Sequence, residues 1–207
     1  PQKAWGTEWG VKGAVGDRFD YAVAGYCAWV RDELIPFEID GRSFFRNAGR
    51  SRHCGAEVQT GWLLAEGLTA ALAYTFSDFA FTDYVVGGVP LDGNRLPGVP
   101  VHQAHGRLFY RSPANVYGAV ELTYADSYFT DDANTARNPS YTVVDLRFGY
   151  AGRRGRWAAE PFVGINNVFD VRYNSSVTIN AFGGRYYEPA PGRTVYVGLR
   201  MPVRVGR

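Results

Sequence analysis

The chain has 207 residues, 22 basic and 20 acidic side chains for a net charge of +2, and an aromatic share of 15%. So small a charge, with Lys and Arg spread among acids, excludes a nucleic-acid-binding stripe. The absence of any run of eighteen or so apolar residues excludes a membrane-spanning helix. The N-terminal Pro1-Gln2-Lys3 stretch lacks the apolar core of a signal peptide.

Abundant Gly, many aromatics and a single Met favour strands joined by tight turns, so a membrane protein of this composition has to be a barrel. Period-two alternation predicts nine strands, over roughly residues 3–15, 19–32, 44–64, 67–81, 100–112, 114–128, 139–151, 156–167 and 192–203.

In the first three segments Glu8, Lys12 and Glu57 fall on the polar face, and Trp5, Trp29 and Trp62 lie near segment ends. Cys27 and Cys54 have neither metal-site nor disulfide-framework spacing and are expected as two separate thiols. A bridge becomes possible only if their strands are neighbours and their registers coincide. His53, His102 and His105 are the only histidines, and His102 and His105, three apart in a strand, point to opposite faces.

The fourth segment places Leu68, Ala70, Leu72, Tyr74 and Phe76 on one face, with small or hydroxyl residues opposite. Later segments repeat the split. Arg107, Glu121, Asp145, Arg147, Glu160 and Arg200 share the polar side, while Val195, Val197, Leu199 and Met201 line the apolar side of the last strand. Tyr128, Tyr150 and Trp157 complete two expected bands of terminal aromatics.

The connections are unequal. Short turns are expected at Val15-Gly16-Asp17, Ala65-Glu66-Gly67, Ser112-Pro113-Ala114 and Gly152-Arg153-Arg154-Gly155, and longer polar loops at about residues 33–43, 82–99, 129–138 and 168–191. Strict alternation of short turn and long loop is the habit of an outer-membrane barrel, with apolar residues toward lipid and charged ones toward the lumen. Asp131-Asp132, in an outer loop, is expected as a solvated acidic pair.

Four stretches resemble the TonB-dependent receptor barrel. Pro161-Phe162-Val163-Gly164-Ile165-Asn166-Asn167-Val168-Phe169-Asp170, with Arg172-Tyr173, is similar to that family's penultimate-strand motif, and Glu188–Thr194 to the approach to its final strand. Asn47-Ala48-Gly49-Arg50-Ser51-Arg52-His53-Cys54-Gly55-Ala56-Glu57 and Leu96-Pro97-Gly98-Val99-Pro100 resemble two further segments in the family's order. Physically, Asn166, Asn167 and Asp170 can cap freed backbone groups where a strand ends. Pro189, Pro191 and Gly192 stiffen and bend the descent into the last strand.

The resemblance implies an all-β, antiparallel up-and-down meander, the last nine strands of a barrel of about twenty-two. Residues 1–207 would be the C-terminal portion of that barrel, the plug with its TonB box and the earlier strands lying outside it. The chain ends Met201-Pro202-Val203-Arg204-Val205-Gly206-Arg207, without the terminal aromatic typical of such barrels.

The implied function is active import across the bacterial outer membrane of a ferric siderophore, another scarce metal chelate or a small cofactor. The implied partners are outer-membrane lipid, the ligand, and the TonB-ExbB-ExbD complex through the plug. Arg172, Tyr173, Arg185, Tyr186 and Tyr187 are the candidate ligand contacts, and Glu8, Lys12, Glu57, Arg107, Glu121, Asp145, Arg147, Glu160 and Arg200 the lumen- or plug-facing charges. No catalytic residue, metal site, resident cofactor or nucleic-acid partner is implied. The rival readings are a passive porin or adhesin-like barrel and a soluble β-sandwich binding module.

Overall fold

The computed structural model describes residues 1–47, 49–151 and 159–201. Its strands, in chain order, are β1 (Lys3–Val15), β2 (Phe19–Arg31), β3 (Leu34–Ile39), β4 (Arg42–Asn47), β5 (Arg50–Ala65), β6 (Leu68–Asp83), β7 (Val85–Val86), β8 (Val89–Pro90) and β9 (His102–Arg111). They continue as β10 (Val116–Ala125), β11 (Tyr128–Phe129), β12 (Arg137–Asn138), β13 (Tyr141–Tyr150), β14 (Glu160–Asn166), β15 (Asn174–Val177), β16 (Tyr187–Pro189) and β17 (Thr194–Arg200).

Nine of these form one sheet in the order β1-β2-β5-β6-β9-β10-β13-β14-β17, with every neighbouring pair antiparallel. The nine expected segments are therefore present as an up-and-down meander. Each long connection also carries a hairpin of its own: β3–β4, β7–β8, β11–β12 and β15–β16. Two expectations change as a result. The third segment divides at Gly49, where a Cβ would overlap the Asp83 carbonyl, so 42–47 belongs to a loop hairpin and only 50–65 to the sheet. Tyr128 sits in β11, beyond the end of β10, and so belongs to a loop and not to a band of terminal aromatics.

The other end has tight connections. Ala65 faces Leu68 across Glu66-Gly67, and Gly67 takes φ +72°, with the Arg111 carbonyl occupying the space a side chain would need. Only glycine meets both conditions. The expected turn at 152–155, Trp157, Ala48 of the upstream motif and the tail 202–207 lie outside the described residues.

Register fixes the faces, because successive side chains in a strand alternate. Glu57 opposes Ala24, which opposes Gly10; Gly61, on the same face of β5, opposes Ala71, which opposes Arg107. Arg107 opposes Glu121, Glu121 opposes Asp145, Arg147 opposes Gly164, and Glu160 opposes Arg200. All nine charges named from the sequence thus share one face.

The opposite face is uncovered and, between its rims, apolar apart from the Arg52–Asp78 pair. Val195 is 67% and Val197 81% exposed. Stacked pairs sit near its two ends, Trp5 on Trp29 at the loop end and Phe19 on Trp62 at the turn end. From Phe19 to Trp29 is ten residues, about 33 Å along the strand, or about 25 Å of membrane thickness at the usual barrel tilt. A soluble sandwich would bury this face under a second sheet; here the buried apolar side chains Ile35, Phe81, Tyr84, Leu91 and Leu96 gather at the loop end instead.

The cysteine expectation is corrected. β2 and β5 are neighbours because the chain between them leaves as a hairpin and returns, which sets Cys27 directly opposite Cys54 on the apolar face; the two sulfurs are bonded.

Aromatic rings lie over directly opposed glycines: Tyr26 over Gly55, Tyr117 over Gly149, Tyr196 over Gly164 and Phe162 over Gly198. Gly164→Val is expected to cost about 1–3 kcal/mol by displacing the Tyr196 ring. Gly106→Ala, where a Cβ meets nothing within 4 Å, is expected to be neutral or slightly stabilising. Denaturant midpoints of the detergent-solubilised variants test the contrast, and equal effects at the two positions would refute it.

Candidate functional site

The site is built from the four long loops. β5 and β14 are five steps apart in the sheet, about 24 Å if the sheet were flat, yet the loops adjoining them touch. Asn180, in the last loop, donates to the Pro36 carbonyl of the first at 3.0 Å, and the Phe182 amide donates to Glu38 at 3.2 Å. Phe79 and Phe81 project from β6 on the same side as Glu57, so the loops lean inward over the charged face.

Asp132 is where they meet. Its carboxylate accepts from Arg46 of the first loop at 3.0 Å, from the Tyr84 hydroxyl of the second at 3.0 Å and from Asn180 of the fourth at 3.0 Å. The Asn180 side chain accepts the Asp132 amide in return, and Asn94 donates to the Asp132 carbonyl at 2.9 Å. Arg46 also donates to Tyr84 at 2.7 Å. A 3% exposed aspartate so placed is stable because both carboxylate oxygens accept hydrogen bonds, two at one and one at the other. Burial, and then the Asp132 charge, push the Tyr84 phenol up to about 12, so it stays a donor at any physiological pH.

The expected solvated pair is therefore overturned. Asp131 is also buried, and it accepts from the Thr135 hydroxyl and, at 2.7 Å, from the Thr135 amide, closing its own loop. The sequence singled out these two acids but not their partners, because Arg46 lies 86 residues from Asp132 and Asn180 lies 48 away.

A second cluster stands at the head of β5. The Ser51 hydroxyl donates to Glu33 and lies 3.0 Å from His53 Nε2, and that same nitrogen is 3.4 Å from Glu33. The residue types are those of a hydrolase triad. The geometry is not, because serine and acid address one imidazole nitrogen and no proton can be relayed through the ring. Burial pushes the Glu33 carboxyl up, but hydrogen bonds from His53 and Ser51 and the His53 charge outweigh it and hold the carboxyl below its ordinary 4.5.

The five candidate contacts of the last loop separate into two groups. Arg172 and Tyr173 line a hollow of about 480 Å³ at the loop's root with Pro139, Asp170 and Pro189, and Tyr173 packs on Tyr141 at 4.7 Å. Arg185, Tyr186 and Tyr187 lie beyond β15, the length of a four-residue strand away, about 13 Å. Arg185 and Tyr187 are exposed, and Tyr186 meets Tyr187 edge to face. The Tyr187 hydroxyl donates to the Arg137 carbonyl at 3.0 Å. Burial, then Asp131, raise the Tyr186 phenol.

In the motif below this loop Asn167 and Asp170 act as the sequence suggests, whereas Asn166, among the described residues, caps no backbone group and reaches only the Thr194 hydroxyl, at 3.4 Å. Asn167 and Asp170 take left-handed φ of 51° and 54°. Asn167 both accepts from the Val171 amide and donates to its carbonyl, and Asp170 accepts from the Arg193 amide at 2.8 Å. Gly192 is needed for a different reason from the one expected: its φ is not left-handed, but a Cβ would come within 2.8 Å of the Asp170 carboxylate.

Toward the turn end the charged face forms a hollow of about 570 Å³ whose lining includes Arg107, Glu121, Arg147, Glu160 and Arg200. Arg107 pairs with Glu121 at 3.4 Å, Arg200 with Glu160 at 4.0 Å, and Arg147 stacks 4.2 Å over the Phe162 ring. His102 and His105 have separate partners, the Tyr74 hydroxyl at 2.8 Å and the Thr123 hydroxyl at 3.2 Å.

Residues 1–168 match the family model described as TonB dependent receptor-like, beta-barrel. The chain belongs to this family. Its relatives include the ferrioxamine receptor of Yersinia enterocolitica, 28% identical over 136 residues, which are 63% of this chain and 18% of the relative. The ferrichrome outer membrane transporter/phage receptor of Escherichia coli (strain K12) is 26% identical over 188 residues, 88% of this chain and 24% of the relative. The chain thus spans a quarter or less of these curated relatives.

Among solved structures, the ferric yersiniabactin uptake receptor FyuA from Yersinia pestis superposes with a TM-score of 0.78 at 20% identity, over 97% of this chain and 30% of that one. The unliganded ferric citrate transporter FecA gives 0.78 at 19%, over 95% and 31%. These likenesses show the fold, nine strands of a receptor barrel; the family match and the curated relatives make it a barrel of the bacterial outer membrane.

Two outcomes follow from this geometry. Asp132→Ala in the full receptor, removing one acceptor each from Arg46, Tyr84 and Asn180, is expected to cost on the order of 3 kcal/mol. Hydrogen exchange should then rise in all four loops together, and a rise confined to 126–140 would refute the node. Because the Glu33 carboxyl is held below its unfolded value, its contribution is complete above pH 4.5 and lost as the pH falls through its folded value. Exchange at Ser51 and His53 should therefore increase on acidification below 4.5 in the native protein, and Glu33→Gln should abolish that acid step.

Proposed function

We propose that this chain is the C-terminal portion of the barrel of a TonB-dependent importer of a ferric siderophore, its nine strands being the last nine of about twenty-two. The family match over residues 1–168 carries the reading. The curated relatives, named as ferrioxamine and ferrichrome receptors, support a siderophore of that kind as the ligand.

On this reading the loop end faces outward and the charged face lines the lumen. Glu8, Lys12, Glu57, Arg107, Glu121, Asp145, Arg147, Glu160 and Arg200 meet the plug, through which the TonB-ExbB-ExbD complex does its work. Arg185, Tyr186 and Tyr187 present cationic and phenolic groups at the mouth, with Arg172 and Tyr173 at its wall. No bond is made or broken; the ligand is bound, released and moved.

The test is uptake of iron-55-labelled ferrioxamine and ferrichrome by cells that express the full-length receptor as their sole siderophore receptor. Uptake of at least one chelate should require both the receptor and TonB. Arg185→Ala combined with Tyr187→Ala should weaken binding about tenfold or more, as loss of two polar and aromatic contacts would. Ligand passage that persists without TonB would mark a passive pore and overturn the reading.

A further inference from the structure

The apolar face carries a feature that its membrane role alone does not explain. Lys3 lies directly opposite Arg31, and Arg31 directly opposite Arg50, which sets three cations in a row across β1, β2 and β5. The row spans two interstrand steps, about 10 Å. Lys3 stands two residues from Trp5, and Arg31 two from Trp29, so the row shares the face of the stacked Trp pair and lies beyond it at the loop end.

Like charges placed directly opposite each other are unfavourable. One weak contact relieves them: Arg50 lies 3.8 Å from Asp83, with both side chains more than half exposed. Among the described residues Lys3 and Arg31 have no acidic partner. Arg52, one pair nearer the membrane centre, is matched by Asp78 at 2.7 Å. The unmatched charge is therefore confined to the rim, where a hollow of about 310 Å³ is lined by Trp5, Trp29, Arg31, Arg50 and Thr82.

We propose that this hollow binds the phosphate groups of an outer-leaflet lipid, held by Lys3, Arg31 and Arg50 while its acyl chains lie against Trp5 and Trp29. Aromatic rings at the edge of the apolar band with cations just beyond them are placed for a headgroup whose phosphates sit above its hydrocarbon. Guanidinium groups match phosphate oxygens in pairs. The inference rests on the outward orientation of the loop end given above.

The experiment uses the full-length receptor, delipidated in detergent and titrated with bisphosphorylated lipid A, with dephosphorylated lipid A and with inorganic phosphate, binding being read by native mass spectrometry. Bisphosphorylated lipid A should bind, and the Arg31→Gln/Arg50→Gln variant should bind it about thirtyfold more weakly, the effect of two surface cations. The Arg31→Lys/Arg50→Lys variant should keep most of the affinity, and Asp83→Asn should not reduce it.

Lipid A binding unaffected by the glutamine pair in a variant that keeps its heat-modifiable barrel mobility would overturn the proposal. Equal binding of the dephosphorylated lipid, or displacement by millimolar inorganic phosphate, would also do so. Siderophore uptake by the same variants separates the two readings, because the three cations stand outside the mouth. Absent uptake with lipid A binding intact fails the import reading alone, and intact uptake with insensitive lipid binding fails this one alone.

Discussion

Hydrocarbon offers a peptide group no hydrogen-bond partner, so a strand crossing it must give every amide and carbonyl to a neighbouring strand. That constraint orders the rest of the molecule. It forces antiparallel neighbours joined by turns at one end, and once register is set it fixes which side chains meet lipid. The charges Arg107, Glu121, Asp145 and Arg147 stand on one side of the ladder, and Val120, Leu122, Leu146 and Phe148 on the other, because successive side chains alternate and only the apolar set can face hydrocarbon.

Beyond the ladder the physics changes. The four long loops have water available, yet they bury a carboxylate and surround it with a guanidinium, a phenol and an amide from three other loops. An isolated apolar cluster of five side chains could close the end of the sheet without fixing how the loops sit relative to one another. The directional bonds at Asp132 supply that geometry and so hold the proposed contact residues in a defined arrangement.

The strand plan was legible in the sequence because period two survives in a one-sided sheet; Thr142 to Tyr150 and Val195 to Met201 show it plainly. The charged face was legible for the same reason. Contacts set by long-range register were not. Cys27 and Cys54 bond because a hairpin excursion brings β2 and β5 together, and no spacing rule encodes that. The split of 44–64 at Gly49 depends on crowding by Asp83, and the burial of Asp132 on residues up to 86 positions away. Both are properties of assembled loops.

Because one buried acid ties together four segments, the loops cannot drift independently. A length change in the segment carrying Arg46, Tyr84 or Asn180 would be felt by the other three, so foreign peptides grafted near those residues would distort the whole mouth. The tips behave differently. Gly41, Gly87 and Gly88 turn through left-handed conformations with open space where a side chain would stand. On the proposed outward orientation of the loops, those tips are the positions where an added epitope can leave the node undisturbed.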